Sequence, residues 1–329
     1  MTSKMLDHGA AQRTANRVTS NKAKPLGPVS HRLIRDMSSE AYHGSAGTWS
    51  SSQLKDVIDD EEVFIKKYIK KEIPRTESEA FDVGTYFHTG VLEPHKISKD
   101  ISVFTGKTRY GRDWEAFKQK NKGKTIITQK QKEVGDGMIK AVKASPVSMQ
   151  YLVGEPEISL FIELLVAEGT IYAPHFKKAL TLDGWIGVKK VPTKGFSMKV
   201  KVRADCLGET FVSDLKSTSG KSTQKGSVRN SISKYKYDLS AALYLDMFSL
   251  MSDDVSEFIW VFASKENPVA APWIATKNQI RVGRAKWSYA VKRIADLSAA
   301  KWEIPDYLRE AEPLPHELEW LKEKETDLL

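Results

Sequence analysis

The spacing of apolar residues changes at Pro146, and that change sets the fold class. Upstream, apolar side chains recur every three to four residues. Leu54, Val57, Ile58, Phe64, Ile65, Tyr68 and Ile69 follow three serines able to cap a helix, Ser50, Ser51 and Ser52. A second helix runs from Ser78 to about Leu92, with Phe81, Gly84, Thr85, His88 and Leu92 on one side and Pro94 ending it. Residues 114–122 and 129–144 also read as helices, separated by a turn at Gly123. Downstream, β-branched and alternating patterns take over in 157–165, 199–206 and 210–215, and the short interval Leu207-Gly208-Glu209 makes the last two a β-hairpin. The polar run 217–233 lacks periodicity and reads as a mobile loop. An apolar helix over 237–250, a buried strand over 258–263 and a long amphipathic helix over 278–299 complete the pattern. The order predicts an α/β fold, a central mixed sheet flanked by helices with a helical amino-terminal portion. No internal repeat interrupts it.

The chain has 329 residues, enough for one large domain with appendages or two small ones. Residues 1–30 are polar, end in Pro25, Gly27 and Pro28, and read as a flexible basic arm. The arm lacks the apolar face of an import helix. The working division is this arm, a main domain over 31–312, and a tail helix over 313–329. A hydrophobic fraction of 40% suffices for a core. Cys206 is the single cysteine, which excludes a disulfide framework and fits a reducing, cytoplasmic setting. No apolar run approaches the ~20 residues that span a bilayer, so no membrane partner is expected.

The net charge of +9 is concentrated. Residues 106–147 hold eleven Lys or Arg against four acids, interleaved with Tyr110, Trp114 and Phe117. Such a segment attracts a phosphate backbone and can stack bases. It also serves as a solubilising helical surface, and the segment alone leaves both readings open.

The chemistry-bearing residues lie on the hairpin. Asp214 and Lys216 are two apart and leave the same face of one strand, while the turn brings Asp205 opposite them. Two carboxylates and an ammonium then converge, a set suited to Mg²⁺ and to phosphodiester hydrolysis. The competing reading is an exposed hairpin whose Asp214 and Lys216 form a surface ion pair worth about 0–1 kcal/mol. Gly220-Lys-Ser-Thr223 has the ending of a phosphate-binding loop, but residue 215 is leucine where the motif requires glycine, so an ATPase is rejected. Lys221 remains as a basic loop residue able to touch phosphate.

Arg203-Ala-Asp205, Asp214-Leu-Lys216-Ser-Thr218 and Tyr237-Asp-Leu-Ser-Ala-Ala-Leu-Tyr244 resemble the core of the PD-(D/E)xK nucleases, and within them the exodeoxyribonuclease VIII (phage RecE-like) exonucleases. Gly84-Thr-Tyr-Phe-His88 through Leu92-Glu-Pro resembles a helix of that family. Tyr42-His43 with Ser51-Ser-Gln-Leu-Lys55 resembles its amino-terminal entry, and Gly111 through Lys124 its lysine-rich insertion. The likeness spans about residues 40–290. It implies Asp205 and Asp214 as metal carboxylates, the carbonyl of Leu215 and the imidazole of His88 as further ligands, and Lys216 as the residue that orients or activates water. Glu157 takes the approximate place of another acidic motif residue, with Glu155 and Glu163 as alternatives. Arg203, Ser240, Tyr244 and Lys221 are the candidate substrate contacts. The family usually carries Gln where this chain has Ser240, and Asp238 or the serine hydroxyl stands in for it. The implied cofactor is Mg²⁺, with Mn²⁺ as a substitute. The implied activity is 5′-to-3′ degradation of linear double-stranded DNA from its ends for recombination, by a ring-like homo-oligomer working with a single-strand annealing protein. A phage-encoded chain of this kind would act in the host cytoplasm. Two other readings stay open: a catalytically inactive DNA-binding accessory protein, and a single-strand or endonucleolytic relative of the RecB-like or CRISPR-associated branches. The iron-sulphur members of those branches need several cysteines and are excluded.

Overall fold

The structure, a computed structural model, describes residues 31–74, 79–219 and 223–304. The basic arm, the tail helix and Lys221 fall outside the described residues. Twelve strands are described: β1 (His31–Ile34), β2 (Thr48–Trp49), β3 (Ile101–Phe104), β4 (Thr125–Thr128), β5 (Glu155–Ala167), β6 (Thr170–Ala173), β7 (Lys178–Thr181), β8 (Gly184–Gly187), β9 (Phe196–Leu207), β10 (Phe211–Thr218), β11 (Glu257–Ser264) and β12 (Ala270–Ile274). The α-helices are α1 (Ser39–His43), α2 (Ser51–Asp59), α3 (Glu61–Phe64), α4 (Glu79–Leu92), α5 (Ile97–Asp100), α6 (Arg112–Lys120), α7 (Gln129–Lys143), α8 (Pro146–Met149), α9 (Lys225–Lys234), α10 (Tyr237–Phe248) and α11 (Lys277–Ala299).

Ten strands form one mixed sheet in the order β12-β11-β10-β9-β5-β6-β7-β8, with β1 paired to β5 and β2 to β9. β10 and β11 run parallel along their whole length, whereas β9 is antiparallel to both β5 and β10. The run Phe-Ile-Trp-Val-Phe-Ala of β11 explains the layering. Phe258, Trp260 and Phe262 enter the larger core with α10 and α11, while Ile259, Val261 and Ala263 enter a second core with Val83 and Phe87 of α4 and Met138 and Val142 of α7. A strand buried on both faces needs apolar residues at both parities, hence an unbroken apolar run. Pro272 sits in β12, the edge strand, where a missing N–H breaks no ladder.

Two expectations are revised. The segment 217–233, read as a mobile loop, contains α9 over Lys225–Lys234. Its buried Val228 and Ile232 stand four apart, an apolar stripe too sparse to be noticed among serines and glycines. The long helical stretch from Ser50 to Ile69 breaks at Asp60, whose side chain caps α3 through the Val63 N–H, and the chain then winds into a π-helical turn over Ile65–Ile69.

Helix contacts fix where the site-bearing segments lie. Tyr86 of α4 lies over Gly135 of α7, where a Cβ would come within 2.4 Å of the ring, and its hydroxyl donates to Asp136 at 2.6 Å. At Gly283 of α11 a Cβ would stand 2.0 Å from the Asp238 carbonyl oxygen of α10. The next residue, buried Arg284, clasps Asp246, and Trp287, one turn on, donates to the same carboxylate at 2.9 Å. Because the obstacle at Gly283 is backbone, Gly283→Ala should force α10 and α11 apart and destabilise the protein by about 2 kcal/mol or more. A thermal melt checks this: a loss of several degrees is expected, and an unchanged midpoint would refute the close approach.

Candidate metal centre

The site forms where β9 loses its neighbours. The β5–β9 ladder pairs Pro156 with Cys206 and Ile158 with Ala204 but skips Glu157 and Asp205, and the β9–β10 ladder ends at Ser213–Cys206. Glu157 adopts a left-handed backbone, φ 54°, which few non-glycine residues accept. In the gap, Asp205 Oδ2 accepts the Leu215 N–H at 2.7 Å and lies 3.3 Å from Nδ1 of His88, which α4 brings in. Ligand atoms of His88, Glu157 and Asp205 lie within 4.8 Å of one another.

Asp214, on β10, hydrogen-bonds Asp205 through its side chain, and its Oδ1 accepts from Lys216 Nζ at 2.5 Å. The structure thus brings Asp205, Asp214, Lys216, His88, Glu157 and the Leu215 backbone together. Of the three acidic candidates on β5, only Glu157 joins them. Glu155 is exposed and paired with Arg35, and Glu163 accepts from Ser197 at 2.6 Å.

Burial governs the protonation of this cluster. It pushes Glu157 up to about 8, with the charge of Asp205 adding and Arg203 opposing. Asp214 rises to about 6, burial again leading, with Lys216 pulling back and Asp205 adding. Burial also raises Asp205, against the pull of Lys216. His88 falls to about 4, through burial and then the Lys216 charge, so its imidazole is neutral at pH 7 with a lone pair free for a metal. Lys216 is pressed the other way: burial disfavours its charge, but Asp214 and Asp205 outweigh it and hold the amine protonated.

These donors fit a divalent cation. Oxygens on a shared Mg²⁺ at ~2.1 Å stand up to ~4.2 Å apart, so small side-chain shifts close the set. Glu157 and Asp205 supply hard oxygens and His88 a nitrogen, a mixture that accepts Mn²⁺ as well as Mg²⁺.

Arg203 is occupied within the protein: it donates to Ser159 at 2.9 Å and to the Met37 carbonyl at 2.7 Å, lies over the Tyr42 ring at 4.3 Å and approaches Glu157 at 3.6 Å. Tyr244 of α10 lies beside Ser51 of α2, within reach of the Asp214 charge. Ser240 is buried in α10, and Asp238 is taken by Lys286 at 2.6 Å. Two residues given no role from the sequence also face this centre. Tyr237 lies 5.3 Å from Lys216 Nζ, and Lys55 of α2 lies over the same ring. Ser51 and Lys55 stand four apart on one helix face, which was the available signal.

A family model for a PDDEXK-like domain of unknown function (DUF3799) matches residues 50–169 and 179–312. No match emerges among curated proteins. Among solved structures, a Eubacterium rectale protein provisionally described as an exonuclease superposes with a TM-score of 0.52 at 14% identity, over 85% of this chain and 97% of that one. SSO0001 (13% identity, 69% of this chain and 98% of that one) and Scheffersomyces stipitis Rai1 (11%, 80% and 71%) each reach a TM-score of 0.24, which carries no argument.

A raised carboxylate pKa makes the folded state bind more protons than the unfolded one, so its contribution to stability falls as pH climbs from the unfolded towards the folded value. For Glu157 that window runs from 4.5 to about 8. In EDTA, Glu157→Gln should therefore gain on the wild type as pH rises through this window, melting several degrees higher at pH 8. Added Mn²⁺ should shrink the difference. Parallel melting curves from pH 5 to 8 would contradict the buried cluster.

Proposed function

The chain belongs to the PDDEXK-like domain family DUF3799, and from that membership and the geometry of the centre we propose that it is a metal-dependent nuclease that shortens linear double-stranded DNA from its ends. The observation that carries the reading is the convergence of Asp205, Asp214, Glu157 and His88 around Lys216 in a gap of the sheet. The end-directed part draws on the family resemblance and on the description of the E. rectale neighbour. From the resemblance to the RecE-like exonucleases alone, the proposal extends to 5′-to-3′ polarity, a ring-like homo-oligomer and delivery of the exposed strand to a single-strand annealing protein.

His88, Glu157 and Asp205 would hold the ion, with Asp214 beside them. Bound there, a divalent cation supplies Lewis acidity toward a phosphate oxygen and toward water. The chain's own groups do the rest. Lys216, protonated and braced by Asp214, cannot accept a proton; it places positive charge where a phosphate gathers negative charge and donates to water. Asp214, its carboxyl near neutrality at about 6, is the group suited to exchange a proton with that water. Arg203 holds Glu157 in place.

The test is incubation with end-labelled linear duplex and with closed circles, in Mg²⁺, in Mn²⁺ or in EDTA. Metal-dependent shortening of the linear form alone is expected. A salt-sensitive gel shift without shortening would replace the enzyme by a DNA-binding protein. Lys216→Ala should lower the rate about 100-fold or more while duplex binding in EDTA persists. Because imidazole favours Mn²⁺ over Mg²⁺, half-activation should need several-fold less Mn²⁺, and His88→Ala should erase that preference. Equal metal requirements in both proteins would remove His88 from the ligand set.

A further inference from the structure

Around the α2–α10 contact four acids are already claimed. Lys216 takes Asp214 at 2.5 Å, Lys286 takes Asp238 at 2.6 Å, Lys67 takes Asp56 at 2.7 Å, and Lys236 takes Asp59. Lys55 stands among these pairs, half-buried, with no hydrogen bond or ion pair to any described residue. Its Nζ lies 5.3 Å from the centroid of the Tyr237 ring, the same distance at which Lys216 Nζ approaches that ring. Two ammonium groups on one aromatic ring repel, and only one has a carboxylate.

Resting on the nuclease reading, we propose that Lys55 is a second substrate-binding cation of this site, seated on Tyr237 to grip a backbone phosphate next to the one that is cut. An anion is what an unpaired amine in such a place lacks, and phosphate is the anion a nucleic-acid substrate brings. Lys55 shares the Tyr237 ring with Lys216 and feels the charges of Lys216 and Asp214, which places its amine beside the Asp214–Lys216 pair. Burial, with Lys216 adding, lowers its pKa to about 8, which still leaves it charged at neutral pH. The wall continues outward as nucleic acid requires: exposed Tyr235 stands 5.5 Å from Tyr237 with its ring tilted by 30°, and Lys234 lies over it at 5.3 Å. Amines interleaved with rings track a strand through phosphate contact and base stacking.

The experiment compares wild type, Lys55→Met and Lys55→Arg. Affinity for a linear duplex is measured in EDTA against KCl concentration, and kcat and KM are measured in Mg²⁺ on the same duplex. Loss of one phosphate contact should reduce the slope of log affinity against log salt by about 0.9 in Lys55→Met. The same variant should lose at least tenfold in kcat/KM, with its melting temperature maintained, and Lys55→Arg should restore most of both. A wild-type slope with kcat/KM within threefold of wild type would overturn the proposal. A loss that arginine does not rescue, accompanied by a lower melting temperature, would do the same by assigning Lys55 to the fold. If the wild type itself fails to shorten DNA, the nuclease reading falls, while the slope measured in EDTA still decides whether Lys55 holds phosphate.

Discussion

Three carboxylates held close together in a largely buried gap set the terms for the rest of this molecule. Unit charges 4–5 Å apart at an effective dielectric of about 20 repel by roughly 3–4 kcal/mol, and Asp205 has both Asp214 and Glu157 as neighbours. Lys216 neutralises one of them. The remaining charge must be relieved by protons or by a cation, and the upward pKa displacements of Glu157 and Asp214 express the first solution when the second is absent. A cluster like this survives only where surrounding structure over-determines it. Glu157 is locked in a left-handed backbone inside a thirteen-residue strand, and Asp205 is tied to the Leu215 N–H.

The scaffold supplies that rigidity by burying the sheet on both sides. β11 sends alternate side chains into two separate cores, and the parallel β10–β11 ladder carries Asp214 and Lys216 on a strand that cannot slip without moving every one of those residues to the opposite face. Where ladders lapse around Asp205, peptide groups need other partners, and the Asp205 carboxylate meets one of these needs. The same lapse lets His88 approach from α4. Its position depends in turn on the tight α4–α7 contact at Gly135. The geometry of the cluster and the missing sheet hydrogen bonds are thus two views of one local arrangement.

What was legible in the sequence follows the reach of each signal. The β9–β10 hairpin, α4, α7 and α11 are written in short-range periodicity and turn residues, and the elements found match those readings closely. The four-residue strands β6 to β8 are too short to show alternation, and the insertion of β1 and β2 into the sheet depends on partners more than a hundred residues away. On β5, Glu155, Glu157 and Glu163 have the same parity, so only pairing with β9 could single out Glu157. Lys55 leaves a fainter trace: its spacing from Ser51 puts both on one helix face, but a lysine on an amphipathic helix has the pattern of a solvated residue, and only the surrounding ion pairs reveal that it lacks a partner.

The departure at Ser240 acquires a physical meaning from α2. On α10, Tyr237 and Tyr244 stand seven residues apart and so share a face, and Ser240 between them is buried and short. A longer amide at that position would reach outward from α10; a serine cannot. Asp238, the other polar residue nearby, is pinned to Lys286 and to the Leu239 N–H, which turns it toward α11. Polar reach toward the site therefore comes from the helix opposite. Ser51 lies beside the Tyr244 hydroxyl, and Lys55, one turn on, extends over Tyr237. The α10 face thus carries the aromatic rings and α2 sets an amine over one of them.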